Sequence, residues 1–414
     1  MKMLLITTLD VAGRQNNREH HLIEHYAPKA EAFHLIYRRR RPPDAGLGAM
    51  LTASRDSVTY QGLPAVAVTP RLSPPDGLVR DTAAGVRGAS AAKRALGTVM
   101  DGVGSLRDRL TIQALRTAAR DVAQPDMLAL ALGPWAALAV LPLRRAGQLG
   151  PVVYVDRDYE PGFTASALRR HGAIRAERMA AGQADLTLCI GNRLMDRLKD
   201  VAGAKLALSP TGVDHARFVR LSPSGSHPRR LIHVGEVAPW AGLEEAVGAL
   251  AELDAVELWA IGPVSDAYRA HLEELARQRG VADRVQIMGK RPREYVIDEL
   301  GKGGIGFAVF RPHPLRQYAA PLKVLEYMAA GLPVLAAEGS EAGDMVSRTG
   351  TGLALACSAQ EICTATTRLL NDPAQFCAAA QAGPAVAADH DWTVILAREE
   401  QMLRGLLNAD EGSG

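Results

Sequence analysis

Four cysteines in 414 residues leave little room for thiol chemistry. Cys189, Cys357, Cys363 and Cys377 form no CxxC pair, and no histidine stands at metal-ligand spacing from them. That excludes a zinc knuckle and a disulfide framework and fits a reduced, cytoplasmic protein. Cys189 lies inside the apolar run LTLCIG and reads as core. No DxD motif with a compatible site beside it is present, so no metal site is expected. A signal peptide is also missing: the apolar part of MKMLLITTLD is too short and no small-residue cleavage site follows. The longest apolar stretch, Met127 to Leu143, is divided by Gly133-Pro134. It reads as a buried strand followed by a crossover helix rather than a membrane span. Net charge is small, +3, but uneven: residues 1–120 hold 18 Lys and Arg against 10 Asp and Glu. A basic front and an acidic remainder point to anionic partners such as phosphates, acidic glycans or a membrane surface, or to a solvated basic face. Nucleic acid is not expected.

A chain of this length exceeds one hydrophobic core, so two or three domains are expected. Apolar residues make up 47% and charged residues 22%, as in ordinary globular proteins. Short apolar runs alternate with helical stretches: MLLITTL, MLALALG, VVYVD, LTLCIG, then LIHVGEV, VELWAIG, VQIMG, GIGFAVF and PVLAA. Such runs lack period-2 alternation and predict buried parallel strands joined by right-handed crossovers. Two series are visible, giving an α/β chain of two doubly wound, Rossmann-like domains. The expected boundaries are 1–212, a Ser/Pro/Gly-rich linker 213–230, a second domain 231–390, and a C-terminal helix and tail 391–414 that crosses back to the first domain. Residues 38–120 are less regular. They hold the basic run Arg38 to Arg41 and one or two basic amphipathic helices, which suit either an anionic membrane or the first sheet.

The segment APLKVLEYMAAGLPVLA, Ala320 to Ala336, carries the strongest chemistry. The chain leaves a strand, enters a helix near Pro321 and ends it at Gly331. Free N–H groups of a first helical turn favour an anion. Lys323 and Glu326, three apart, share one helix face. Lysine can meet a diphosphate, and glutamate can accept from both ribose hydroxyls. An ordinary surface Lys–Glu pair is the plain alternative.

Pro321, Lys323, Glu326, Tyr327, Met328, Ala329, Gly331, Pro333 and Val334 fit the pattern (S/P)-x-K-x-x-E-Y-M-A-x-G-x-P-V. The segment therefore resembles the donor-site helix of GT-B glycosyltransferases. SPTGVDHARF, Ser209 to Phe218, is similar to the segment that closes the N-terminal domain in the same superfamily, with Thr211 where Asn is usual. The resemblance implies two Rossmann-like domains facing across a cleft, with a nucleotide-sugar donor on the second. Donor residues are then Lys323, Glu326, Pro321 and Leu322 on the helix, Gly235 and Gly289 at strand ends, and Arg311.

Two departures qualify the resemblance. Retaining family 4 enzymes carry a second glutamate eight residues before the first, and Tyr318 stands there. Their Arg/Lys diphosphate clamp is replaced by Glu236 and Ala241 in VGEVAPWAGL. Lys323 and Arg311 are the remaining candidates for neutralising a diphosphate. The chain also resembles the membrane-associated β-glucuronosyltransferase family of xanthan assembly. LKVLEY matches that family's M-K-L-L-Q-Y, Asp10 and His20 fit its first loop, and VYVDRD places Asp158 where its catalytic base lies.

The residues give an independent reason to examine that loop. PVVYVDRDYEPG is a strand followed by a charged loop, and ligands in open parallel sheets sit beyond the carboxyl ends of strands. Asp158, then Asp156, are the candidates to take the acceptor hydroxyl's proton in an inverting transfer. They could instead cap the next helix or pair with Arg157. Glu160, Asp10, Arg14, Asn16 and His20 are candidates for the acceptor or sugar; His20 is equally a cap or core histidine. Lys290, Arg291 and Arg293 read as surface charges.

The sequence therefore predicts a metal-independent glycosyltransferase of the cytoplasm, peripheral on the membrane's inner face. It would use a nucleotide-diphosphate sugar, a UDP-sugar first, and no other cofactor. The acceptor would be a hydroxyl on a glycan, a lipid-linked saccharide or a small molecule. A GT-B nucleotide-sugar epimerase and a non-catalytic nucleotide-sugar-binding partner subunit are the rival readings.

Overall fold

The computed structural model describes residues 1–12, 18–40, 52–71, 91–164, 166–218 and 228–411, with backbone alone for 91–103 and 411. The chain divides into two compact units. Met1–Ser209 with Leu396–Gly414 forms the first, and Pro210–Ile395 the second.

The first unit holds strands β1 (Lys2–Thr7), β2 (Ala32–Arg38), β3 (Ser54–Tyr60), β4 (Leu63–Thr69), β5 (Met127–Leu132), β6 (Val152–Asp156), β7 (Leu186–Cys189) and β8 (Leu206–Leu208). Its helices are α1 (Arg18–Tyr26), α2 (Ala91–Arg120), α3 (Pro134–Arg145), α4 (Ala167–Gln183) and α5 (Asn192–Leu198). The strands lie in the order β3-β4-β2-β1-β5-β6-β7-β8. From β4 to β8 all pairings are parallel. β5 and β6 are buried along their whole length, as strands covered by helices on both faces must be.

The edge departs from the all-parallel expectation. β3 runs antiparallel to β4, and the pair turns through Gln61 and Gly62 at φ +49° and +80°. Two positive φ values give the tight turn whose twist matches a hairpin. β3 alternates exposed and half-buried residues, as a one-sided edge strand does. The apolar stretch from Met127 divides as expected into strand and helix: Met127–Leu132 is β5, and α3 follows from Pro134 behind Gly133 at φ +88°. Among the described residues no helix is long and apolar enough to cross a membrane.

The second unit contains β9 (Arg230–Val234), β10 (Glu257–Ile261), β11 (Val285–Gly289), β12 (Ile305–Ala308), β13 (Val334–Ala337) and β14 (Gly352–Leu355). Helices α6 (Leu243–Leu250), α7 (Asp266–Gln278), α8 (Arg293–Gly301), α9 (Pro314–Tyr318), α10 (Leu322–Ala329), α11 (Glu341–Thr349), α12 (Ala359–Asn371) and α13 (Pro373–Asp389) surround them, and α14 (Trp392–Glu411) ends the chain. The sheet is fully parallel, in the order β11-β10-β9-β12-β13-β14. That is the 3-2-1-4-5-6 Rossmann order, whose direction reverses between β9 and β12. Neighbouring strand residues feed opposite cores: Leu231, Phe307 and Leu335 pack on one face, Ile232, Ala308 and Val334 on the other.

α14 begins in the second unit and ends in the first, as expected for a returning C-terminal helix. In the second unit, Val213 N–H donates to His390 O at 2.8 Å and Trp392 N–H to Val213 O at 3.2 Å. In the first, Arg18 reaches Ser209 O at 3.1 Å and pairs with Glu399, which is fully buried. Ser209 Oγ–H and Tyr26 O–H donate to the same carboxylate, at 2.5 and 3.3 Å.

Candidate functional site

The β9/β12 switch point is where a doubly wound sheet binds ligands, and the segment around Lys323 stands there. Tyr327 fixes α10 to it. Its hydroxyl accepts from Val234 N–H at 2.8 Å and donates to Phe307 O at 3.3 Å, joining the helix to the ends of β9 and β12. The other end is closed by Gly331 at φ +69°: its N–H donates to Met328 O at 3.0 Å and Leu332 N–H to Tyr327 O at 2.9 Å. This is the Schellman termination expected of a glycine there. Pro321 is the N-cap, not the first helical residue, and its carbonyl accepts from Leu325 N–H at 3.0 Å. Leu322 is half exposed.

Lys323 follows, half-buried, with its Nζ 5.0 Å from the Phe310 ring centre and 5.8 Å from that of Trp240. Among the described residues it has no hydrogen-bond acceptor. Burial, then the neighbouring Arg316, lowers its pKa to about 7. Gly235, at φ +119°, leaves the space above the amine open: a Cβ there would lie 3.0 Å from Nζ. Gly289 closes the outermost strand and its carbonyl accepts from Gly262 N–H at 3.0 Å.

Arg311, the other cation expected at the site, is ion-paired. Arg311 is held by Glu244 and Glu245, the acids of the first turn of α6, at 2.7 Å each. Its charge is already matched, so it offers little to a diphosphate. Arg316 on α9 shares the Trp240 ring with Lys323. Its guanidinium stacks on Trp240, 3.5 Å from the ring centre, and makes no ion pair among the described residues. Burial lowers its pKa while the exposed Glu236 opposes that shift. Glu236 thus faces two cations instead of standing alone where a clamp is usual.

Glu326 is 3% exposed, and its Oε1 lies 2.6 Å from Arg293 Nη1. Arg293, read from sequence as a surface charge, is therefore part of the site. Burial raises the Glu326 pKa, while Arg293 and Lys323 hold it down. Its second oxygen has no partner among the described residues and can accept a ligand hydroxyl.

In the first unit the three acids after β6 separate by exposure. Asp156 is 0% exposed; its Oδ1 accepts from Tyr154 O–H at 2.8 Å and its Oδ2 has no partner among the described residues. Burial raises its pKa and that of Glu177, which pairs with Arg197. Asp158 has a side chain 45% exposed, 3.7 Å from Arg157 Nε, while Arg157 itself pairs with the buried Glu19. Glu160 accepts from Trp135 Nε1–H at 3.0 Å, and burial raises its pKa. Asp158 is thus the acid of the trio most open to solvent.

Asp10 Oδ2 accepts from Arg40 N–H at 2.8 Å, and its buried Oδ1 has no partner among the described residues. His20 Nε2–H donates to Val11 O at 3.2 Å, bracing the turn after β1. Arg14 and Asn16 lie outside the described residues. The basic run is not an open patch where it is described: Arg39 pairs with Asp56 at 2.8 Å, and Arg38 and Arg40 are half-buried. Arg41 lies outside the described residues.

Residues 228–372 match the model of the family described as glycosyl transferases group 1. Over 311 residues the chain is 27% identical to a GDP-mannose-dependent α-(1-6)-phosphatidylinositol monomannoside mannosyltransferase of Mycobacterium tuberculosis. That match covers 69% of this chain and 78% of the relative. Sucrose-phosphate synthase from Thermosynechococcus elongatus superposes at TM-score 0.68 with 17% identity, over 99% of this chain and 100% of that one. HepE of Anabaena in complex with UDP superposes at 0.66 with 16% identity, over 98% and 100%. The chain has the fold of the GT-B glycosyltransferases, and its second unit resembles the group 1 family.

Sequence reading missed Arg316, Trp240, Phe310 and Arg293. None belongs to the α10 motif, and only the fold brings them to it. A Trp and a Phe beside strand ends were the available signal for an aromatic wall.

Proposed function

We propose that the transferase moves a sugar from a nucleotide-diphosphate sugar, with UDP as the nucleotide, to a hydroxyl acceptor. The observation that carries this reading is the pair Lys323 and Arg316, two cations without ion-pair partners among the described residues, beside the first turn of α10. Together with that turn's N–H groups they would hold the diphosphate and stabilise it as a leaving group, with no metal required. Glu326, through its open oxygen, would accept from the ribose. HepE, solved with UDP, supports the nucleotide. The mycobacterial relative uses GDP-mannose, so GDP is the second reading.

In the reaction, the acceptor oxygen bonds to the anomeric carbon and the carbon–diphosphate bond breaks. The nucleoside diphosphate leaves, and the hydroxyl proton passes to Asp158. Direct displacement of this kind inverts the anomeric centre. An α-(1-6) linkage stands in the relative's name. If the donor linkage here is also α, an α product means retention, and Asp158 is then not a general base.

The proposed acceptor is a glycan or lipid-linked saccharide, reached from the cytoplasm at an anionic membrane surface. Calorimetry with UDP, GDP and uridine in EDTA tests the donor half. Tighter binding of UDP than of GDP or uridine supports it, and equal binding of UDP and uridine overturns the diphosphate assignment. Transfer from UDP-sugars, with release of UDP, completes the test.

A further inference from the structure

We propose that the outer face of α4 is a docking surface for an anionic lipid bilayer. This rests on the reading that the protein works at a membrane surface, but not on what α10 binds.

α4 is inside-out for a surface helix. Its buried positions are Ala173, Ala176, Glu177, Ala180 and Ala181, small residues apart from one acid paired with Arg197. Its large apolar residues point outward: Leu168 is 71% and Met179 39% exposed, with Ile174 half-buried between them. A helix that served only the core would do the reverse. Phe163, in the turn entering α4, is 50% exposed. α2 crosses α4 at Gly104, where a Cβ would lie 2.6 Å from Arg169, and two residues on Leu106 is 50% exposed. Four of the six exposed large apolar residues among those described therefore gather on α4, its entry and α2.

The same face is cationic. Arg175, Arg178 and His171 are exposed and make no ion pair among the described residues. No carboxylate on α4 is exposed, because Glu177 is its only acid. His171, Ile174, Arg175, Arg178 and Met179 line a shallow depression on this surface. Exposed apolar side chains interleaved with unpaired arginines suit a helix lying in the headgroup layer of an anionic leaflet. The charge complementarity favours a bilayer over an apolar partner. The surface also replaces the Arg38 to Arg41 run, of which Arg39 is already paired.

The test is co-sedimentation of the full chain with phosphatidylcholine vesicles, with and without phosphatidylglycerol. The expected result is binding to the anionic vesicles alone, weakening as salt is raised. Each basic residue near such a surface strengthens partitioning roughly fivefold. Arg175→Glu with Arg178→Glu should lower it by more than tenfold on that scale. Leu168→Asp should lower it independently. Arg348→Glu, an exposed arginine of the second unit, should leave it unchanged. Unchanged thermal melting and UDP affinity would show that the α4 variants fold. Equal binding to both vesicle types, binding by the double variant as strong as the parent's, or an equal loss with Arg348→Glu each overturns the proposal. No vesicle binding at all also overturns it and leaves the face to a protein partner.

Discussion

Arg293 meets Glu326 at 2.6 Å, so the glutamate of the donor motif is a paired, buried carboxylate with one oxygen still open. The pairing opposes the upward shift that burial gives its pKa. Glu326→Ala should weaken UDP binding by about 1–3 kcal/mol, the usual cost of losing a charged acceptor. Arg293→Ala should weaken it less. Calorimetry on the two single variants and the double variant checks this, and unaltered affinity in Glu326→Ala places the ribose elsewhere.

Lys323→Ala and Arg316→Ala should each reduce UDP affinity by about 10–100-fold, with uridine affected far less, because each removes a charge-assisted contact to phosphate. Arg311→Ala should barely change UDP affinity. It should lower the melting temperature, since Glu244 and Glu245 lose their common partner. A large loss of UDP binding in Arg311→Ala would restore it to the donor site.

Proton linkage gives a third prediction. In the free protein Lys323 loses its proton near pH 7, and a bound diphosphate favours the charged amine. UDP binding above pH 7 should therefore take up a proton. Affinity should fall by up to about tenfold per pH unit above that value and level off below it. Calorimetry in buffers of differing ionisation enthalpy measures the uptake; none at pH 8 contradicts the assignment. Lys323→Met should abolish the uptake.

Asp158→Asn should cut turnover by about 10²–10⁴-fold with donor affinity nearly intact, as for loss of a general base. Asp156→Asn should act mainly on stability. Burial raises the Asp156 pKa, so the folded state binds a proton that the unfolded state has lost. Stability from this group is present below its ordinary value, near 4, and falls as pH rises through the raised one. The asparagine variant should thus gain melting temperature relative to the parent at pH 8 compared with pH 5. If Asp156→Asn alone stops turnover, the base is two residues earlier than assigned.

Glu399→Ala should destabilise the protein by about 3–5 kcal/mol, because the buried Arg18 loses its carboxylate counter-ion. Chemical denaturation of the two variants Glu399→Ala and Glu400→Ala separates the buried site from the surface one. Glu400, with Lys29, His25 and Arg404 around it, is worth far less, since surface pairs contribute little. Equal losses would show that burial at Glu399 is not what matters.

Much of the architecture was legible because buried parallel strands write themselves as apolar runs. Gly133-Pro134 separated β5 from α3, and Gly331 ended α10. β3 and β4 were not legible: Ser54–Tyr60 is a polar edge strand beside a basic, Pro-containing stretch, and its signal is a one-sided alternation. The motif gave Lys323 and Glu326, whose chemistry follows from one helix face. Their partners could not be read that way. Arg293 starts another helix, Trp240 lies in a turn before α6, and Arg316 lies on a helix of its own. Arg311 was the candidate from sequence, and Arg316 carries the same charge. Only packing shows that Glu244 and Glu245 occupy the former and an indole face supports the latter.

The first unit is built from two separate stretches of chain, and Glu399 is the buried counter-ion of Arg18. During synthesis the ribosome must therefore translate the whole second unit before the first can close around that pair. Until then Arg18, Ser209 and Tyr26 wait without their acceptor. The later-made unit is free to finish first, and the last helix acts as a final latch. A chain terminated before Glu399 should leave the first unit open to proteases even where the second resists them.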